Sequence, residues 1–166
     1  MHRLHKTQVQ TSLGSITMNH KVVADWVSVH GNAAVSDASF PVVIANYSGE
    51  AVVAPNLATE HWSRGVVHFP LPSAPSGNHK PIRLLADFET AMTVVQRVEI
   101  YSGGSEIYGM SLTDDETLEC LNLSSVCTQG VQEGRCGHGI NVTITLKYLQ
   151  KNSQATFRSV GMVFSR

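Results

Sequence analysis

Short runs in which apolar and polar residues alternate dominate this chain from residue 22 onward. The clearest run lies in GHGINVTITLKYLQ, where every second position is apolar: Ile140, Val142, Ile144, Leu146 and Tyr148. Successive side chains of a strand point to opposite faces. The run therefore predicts a strand with one face in the core and its Asn, Thr and Lys side chains in water, which is typical of an antiparallel sheet.

The same alternation predicts strands in other segments. In PIRLLADFE the inward positions are Ile82, Leu84, Ala86 and Phe88, and the outward ones are Arg83, Asp87 and Glu89. In TVVQRVEIY the inward positions are Val94, Val98 and Ile100, and the outward ones are Arg97, Glu99 and Tyr101. A Ser-Gly-Gly-Ser turn then joins this run to EIYGMSL, which predicts a hairpin.

Turn residues separate the runs, and no segment has the periodicity and caps of an amphipathic helix. We therefore expect an all-β domain over residues 22–166. The predicted architecture is a single antiparallel β-sandwich of about eight or nine strands, jelly-roll-like, with a barrel as the alternative. Residues 1–21 are expected to form an N-terminal arm and residues 113–137 a long loop.

Composition narrows the classes of partner. The 166 residues are 42% hydrophobic and only 15% charged, with a formal net charge of −1, and no cluster of Lys and Arg exists to bind nucleic acid. No apolar run is long enough for a membrane-spanning helix. The lack of a signal-like segment favours a cytoplasmic location, whereas three sequons (at Asn46, Asn122 and Asn141) and three cysteines leave secretion open.

The cysteines have the right chemistry for a zinc site, but their spacing along the chain argues against one. Cys120, Cys127, Cys136 and His138 have ligand chemistry suited to zinc, but no two of the cysteines form the tight knuckle from which zinc sites start. One disulfide with a free thiol, or packed free thiols, is the more ordinary arrangement. We expect no metal and no cofactor.

The stretch HWSRGVVHFPLPSAP offers the main candidate site. In an extended chain Trp62, Arg64 and His68 share one face, and they could together stack on and hydrogen-bond a sugar ring or a flat polar ligand. The alternative is that Trp62 covers the core and His68 satisfies a backbone group. Because ligand pockets are few per protein, that structural role is the more common one.

Other candidates are less distinctive. Tyr101 and Tyr108 add aromatic surface for ligand binding, and His68 and Asp87 are the candidate proton-transfer groups. Asp87 and Glu89 would lie about 7 Å apart on one strand face, but the neighbouring Arg83 favours charged carboxylates, against what a glycosidase acid needs. No catalytic serine, cysteine or phosphate-loop motif is present.

Four short segments occur in a characteristic order: His30-Gly31-Asn32-Ala33, Trp62 followed by HFPLPSAP, Phe88-Glu89-Thr90, and VEIYSGG. Together they span about residues 26–112, and they resemble a bacterial β-sandwich family of unknown function. The chain departs from this family's pattern at Ser102, where an aspartate is expected, and in its cysteine-rich insertion. The resemblance implies the fold and no activity.

Two functional hypotheses follow. The first is a non-catalytic binding module that holds a small molecule or glycan on an aromatic and polar face. The second is a small cofactor-independent isomerase or cyclase, which needs positioning and one proton-transfer group and can therefore lack any motif. Exposed sheet edges and sparse surface charge are also compatible with a homodimer.

Overall fold

The computed structural model describes residues 24–72, 80–112, 120–122 and 139–165, which form two antiparallel sheets. Sheet A contains β1 (Ala24–His30), β3 (Val42–Tyr47), β4 (Glu50–Pro55), β6 (Lys80–Ala91), β9 (Cys120–Asn122) and β11 (Gln154–Ser165). Sheet B contains β2 (Val35–Ser36), β5 (Arg64–Leu71), β7 (Thr93–Ser102), β8 (Ser105–Ser111) and β10 (Ile140–Tyr148). The 3-10 turn Gly31–Ala33 is the single helical segment within these ranges.

The predicted all-β sandwich is confirmed. The described residues hold eleven strands rather than eight or nine, because β2 and β9 are too short to produce a sequence pattern. The predicted arm 1–21 lies outside the described residues. So does the predicted loop 113–137, apart from β9, which pairs with β6. No helix in the described ranges has the length and apolar character needed to cross a membrane.

The core lies between the inner faces of the two sheets. Its centre is aromatic: the ring of Phe69 from sheet B lies 5.0 Å from that of Phe157 in sheet A, which stacks on Phe88 at 5.3 Å. All five apolar positions predicted for β10 are buried: Ile140, Val142, Ile144, Leu146 and Tyr148. The inner face of sheet B therefore packs in the core, and its outer face is available for a ligand-binding site.

Along one edge, β11 pairs with two shorter strands in succession, β4 and then β1. Its beginning pairs with β4, the last pair being Phe157 with Ala51, and its remainder pairs with β1, starting from Ser159 and His30. Gly31 fills the gap between the two strands. A Cβ atom at this position would overlap the backbone carbonyl of Phe157, so a glycine is needed where one strand replaces the other along this edge.

Two details of sheet B differ from strict alternation. The pairing of β7 with β10 shifts register near Leu146, and the extra residue in β7 makes Val95, rather than the predicted Val94, the buried position. Thr143 and Thr145 of β10 were expected to face water, yet they are only 5% and 4% exposed. Other segments of the chain therefore cover part of the outer face of β10, and these segments form the walls of a pocket.

Candidate functional site

A pocket of about 510 Å³ lies on the outer face of sheet B. Its floor follows the outward side chains of β10, the central strand of this sheet. The residues that form the walls come from β5, the segment after β2, and the end of β7. The groups with chemistry to offer are Asp37, Arg64, His68, Glu99, Tyr101 and Asn141. Its volume is within the range of small-molecule sites.

The first wall is the segment that follows β2 along the edge of β5. The amide of Asp37 donates to the carbonyl of Val66 at 3.1 Å, and the amide of Val66 donates to the carbonyl of Phe40 at 3.0 Å. Between them the chain bends, and Oδ1 of Asp37 accepts from the amides of Ser39 and Phe40 at 2.7 and 3.0 Å. An aspartate that binds the backbone two or three residues ahead is a common way to fix such a bend.

His68 lies at the centre of a polar network. Its Nε2 is 3.0 Å from Oδ2 of Asp37, and because a carboxylate can only accept, Nε2 carries the proton. In the neutral ring Nδ1 is then an acceptor, and it lies 2.9 Å from Oγ1 of Thr143 and 3.3 Å from the amide nitrogen of Asn141. Both ring nitrogens are therefore held, and the imidazole has a fixed tautomer and orientation.

The environment of Asp37 favours its charged form. Burial alone would raise the pKa of this carboxyl, but hydrogen bonds from His68 and from the amides of Phe40 and Ser39 outweigh burial, so the pKa lies below its ordinary value of 3.8. One oxygen holds the bend and the other holds the histidine. A single charged side chain thus shapes the first wall and orients the group beside it.

The opposite wall carries an acid and a phenol. Oε1 of Glu99 is 3.0 Å from Nε of Arg97 and 3.4 Å from the hydroxyl of Tyr101, which donates to it. Burial and the nearby charge of Glu99 raise the pKa of Tyr101, so the phenol stays protonated. Tyr101 therefore offers an aromatic face and a neutral hydroxyl to the pocket.

The pocket also contains a stacked guanidinium. Cζ of Arg64 lies 4.3 Å from the centroid of the Phe40 ring, which is a cation–π contact. Phe40 belongs to the first wall, so the stacking turns Arg64 toward the pocket. The planar group keeps its edge N–H donors for other partners.

The structure brings together three of the six residues proposed from the sequence. His68, Arg64 and Tyr101 line the pocket. Trp62 precedes β5 in a turn and packs, half-buried, against the core. Tyr108 is buried in the core, with its hydroxyl 3.0 Å from Sδ of Met110.

Asp87 lies on the other side of the sandwich. It is exposed on β6 in sheet A, and its Oδ1 accepts from Nη1 of Arg158 at 3.2 Å. The carboxylate beside His68 is instead Asp37. The two proton-transfer candidates from the sequence, His68 and Asp87, are therefore on separate faces.

Sequence reasoning missed Asp37, Thr143 and Asn141 as partners of His68. The threonine and the asparagine belong to the outward set of β10, and only the register with β5, which places Thr143 opposite His68, reveals the contact. Asp37 is 31 residues from His68. The segment SDASF does carry a signal for a turn, but nothing in it points to the histidine.

In the described ranges, no group of three or more His, Cys, Asp or Glu side chains is arranged to hold a metal ion. Cys127, Cys136 and His138 lie outside these ranges. Neither a comparison with models of known protein families nor one with curated proteins finds a match for this chain. The family resemblance drawn from residues 26–112 therefore stays an interpretation.

Proposed function

We propose that this protein is a binding module for a small polar molecule or glycan, with its site in the pocket on the outer face of sheet B. The observation that carries the proposal is the fixed His68 network, in which Asp37, Thr143 and Asn141 hold the imidazole at the pocket. Groups held on paired strands bind without first losing rotamer freedom, and such preorganisation increases affinity.

The other lining residues support a hydroxylated ligand. Tyr101 and Phe40 supply ring surfaces on opposite walls, and Glu99 and Asn141 supply an acceptor and an amide. Aromatic faces with a few fixed polar groups are the usual composition of a small-molecule site. Trp62 has no part in this proposal, since it packs against the core.

A second candidate is catalysis of an isomerisation or cyclisation by the same pocket. The favouring observation is the hydrogen bond of 3.0 Å from His68 to Asp37, since a carboxylate that accepts from one ring nitrogen fixes the tautomer and orientation of a catalytic histidine. Nδ1 of His68 would exchange its hydrogen bond from Thr143 or Asn141 for a substrate proton and return that proton to another substrate atom, so no external acid, base or cofactor is consumed. In this scheme Asp37 takes the place given to Asp87 by the sequence.

The test is a ligand screen followed by a matched pair of variants. Thermal shift against neutral and acidic mono- and disaccharides and common metabolites identifies binders, and titration calorimetry measures their Kd. We expect His68→Ala to weaken binding by roughly tenfold, because Asp37, Thr143 and Asn141 lose the partner that orients them, and leaving such groups unsatisfied costs about 1–3 kcal/mol. Asp87→Asn on the opposite face should bind normally. Equal Kd values for the wild type and His68→Ala would refute the site.

The second candidate is separated from the first by turnover. A bound ligand is incubated with the protein in D₂O, and NMR and mass spectrometry follow deuterium at carbon and any isomer formed. Catalysis predicts exchange that His68→Ala abolishes. Tight binding without deuterium exchange would support the binding module and contradict catalysis. The homodimer stays a prediction, which light scattering after size-exclusion chromatography measures directly.

A further inference from the structure

Two cations lie directly opposite each other at one end of the pocket. Arg64 of β5 is paired with Lys147 of β10, and opposed residues of an antiparallel pair project from the same face. Arg64 lines the pocket, and both side chains are exposed. Like charges in this relationship destabilise a strand pair. The arrangement therefore favours an anion that binds between them.

No described residue supplies that anion. Neither cation has a carboxylate oxygen within 4.0 Å among the residues of the described ranges. The two acids of the pocket are already compensated: Asp37 accepts from His68 and two backbone amides, and Glu99 accepts from Arg97. Among the described residues that line the pocket, Arg64 is therefore the charged side chain that has neither an ion pair nor a hydrogen bond to another described residue.

The orientation of Arg64 suits a carboxylate. Its stacking on Phe40 holds the plane of the guanidinium, which leaves the edge donors able to bind a carboxylate through two parallel hydrogen bonds. Phe40 lies beside Val66, its carbonyl accepting from that residue's amide at 3.0 Å. The guanidinium is thus held over Phe40, beside Val66 of β5, which also lines the pocket.

We propose that the ligand is a hydroxylated carboxylic acid, an acidic sugar being the simplest example. Its carboxylate binds Arg64, with Lys147 adding positive charge, and its hydroxyl-bearing part extends toward Asn141 and Tyr101. The proposal rests on the proposed binding function and specifies its ligand. Lys147 is four positions from Thr143 on β10, which is about 13 Å along a strand. An acidic disaccharide spans this distance better than a single ring does.

The experiment measures charge preference with paired probes. Digalacturonate and D-glucuronate are compared with their neutral counterparts α-1,4-galactobiose and D-glucose by titration calorimetry, at about 50 mM and about 300 mM NaCl, where screening differs strongly. The variants are Arg64→Gln and Lys147→Gln, with Arg83→Gln as the control, since Arg83 is an exposed arginine on sheet A. We expect the acidic probes to bind more tightly than the neutral ones, and more weakly at the higher salt. Arg64→Gln should weaken acidic binding by roughly tenfold, Lys147→Gln by less, and Arg83→Gln not at all.

The outcomes distinguish the inferred preference for an acidic ligand from the proposed binding function. If the neutral probes bind as well as the acidic ones and His68→Ala weakens both, the ligand is not selected for charge, and the binding module stands without the inference. If the acidic probes bind but Arg64→Gln leaves their Kd unchanged, the carboxylate is held elsewhere and the inference fails. If no probe of either kind binds the wild type, the inference fails and the proposed function loses its glycan class.

Discussion

Nε2 of His68 lies 3.0 Å from Oδ2 of Asp37, across 31 positions of sequence. The pair joins two segments of the pocket wall, since His68 lies on β5 and Asp37, through its second oxygen, holds the bend that contains Ser39 and Phe40. Phe40 in turn stacks with Arg64. One carboxylate thereby orders both the imidazole and, through the bend, the guanidinium, so its removal should affect stability and the site together.

The first prediction is a measurable coupling between Asp37 and His68. Asp37→Asn keeps the amide oxygen that can hold the bend but removes the charge that His68 contacts. A double-mutant cycle with His68→Gln, measured by urea unfolding at pH 7, should give a coupling free energy of about 1 kcal/mol. The control cycle pairs Arg158 with Glu89, an exposed contact at 2.9 Å, for which we expect less than about 0.5 kcal/mol. Equal couplings in the two cycles would count against a special role for Asp37.

The second prediction concerns how the stability of the protein changes at acid pH. Folding holds the pKa of Asp37 below its ordinary value of 3.8, so its charge stabilises the fold fully above that value, and the stabilisation is lost as pH falls through the lower folded pKa. The difference in unfolding free energy between the wild type and Asp37→Asn should therefore be constant near neutrality and shrink below about pH 4. Urea titrations at a series of pH values measure it. If the difference in unfolding free energy instead grows as the pH falls, folding does not lower the pKa of Asp37.

The fold follows from the sequence far more directly than the site does. Alternation along β10 identified the five apolar residues that it buries, because burial of one strand face is a local, repeating property. The site depends on which strands are neighbours: Thr143 meets His68 only through the register of β10 with β5, and Asp37 meets it through a bend beside β5. Arg64 and His68 line the same pocket because they share one face of one strand. Asp87 lies on the other sheet, which the sequence could not show, because alternation cannot say to which sheet a strand belongs.

The third prediction tests the junction along β11. In Gly31→Ala the new methyl group would overlap the carbonyl of Phe157, and it also approaches the amide of Ala51 at 2.8 Å. Because backbone on both sides is fixed by strand pairing, the overlap cannot be relieved by a side-chain rotation. We expect a loss of stability of about 3 kcal/mol or more, or no folded protein. Gly139→Ala is the control, since its Cβ would meet nothing within 4 Å, and it should change the free energy of unfolding by less than about 0.5 kcal/mol. A folded Gly31→Ala protein with wild-type stability would show that this edge can rearrange.

The fourth prediction concerns a hydroxyl buried without a partner. Tyr148 is 2% exposed, and among the described residues its hydroxyl has no hydrogen-bond partner; burial correspondingly raises its pKa. Removing such a group also removes its desolvation cost while the ring continues to fill the core. Tyr148→Phe should therefore keep or increase stability, by up to about 1 kcal/mol. Tyr108→Phe is the matched control, because that hydroxyl contacts Sδ of Met110 at 3.0 Å, and its loss should destabilise. Both are measured by urea unfolding, and destabilisation by Tyr148→Phe would mean that the hydroxyl is satisfied in solution, as by a buried water.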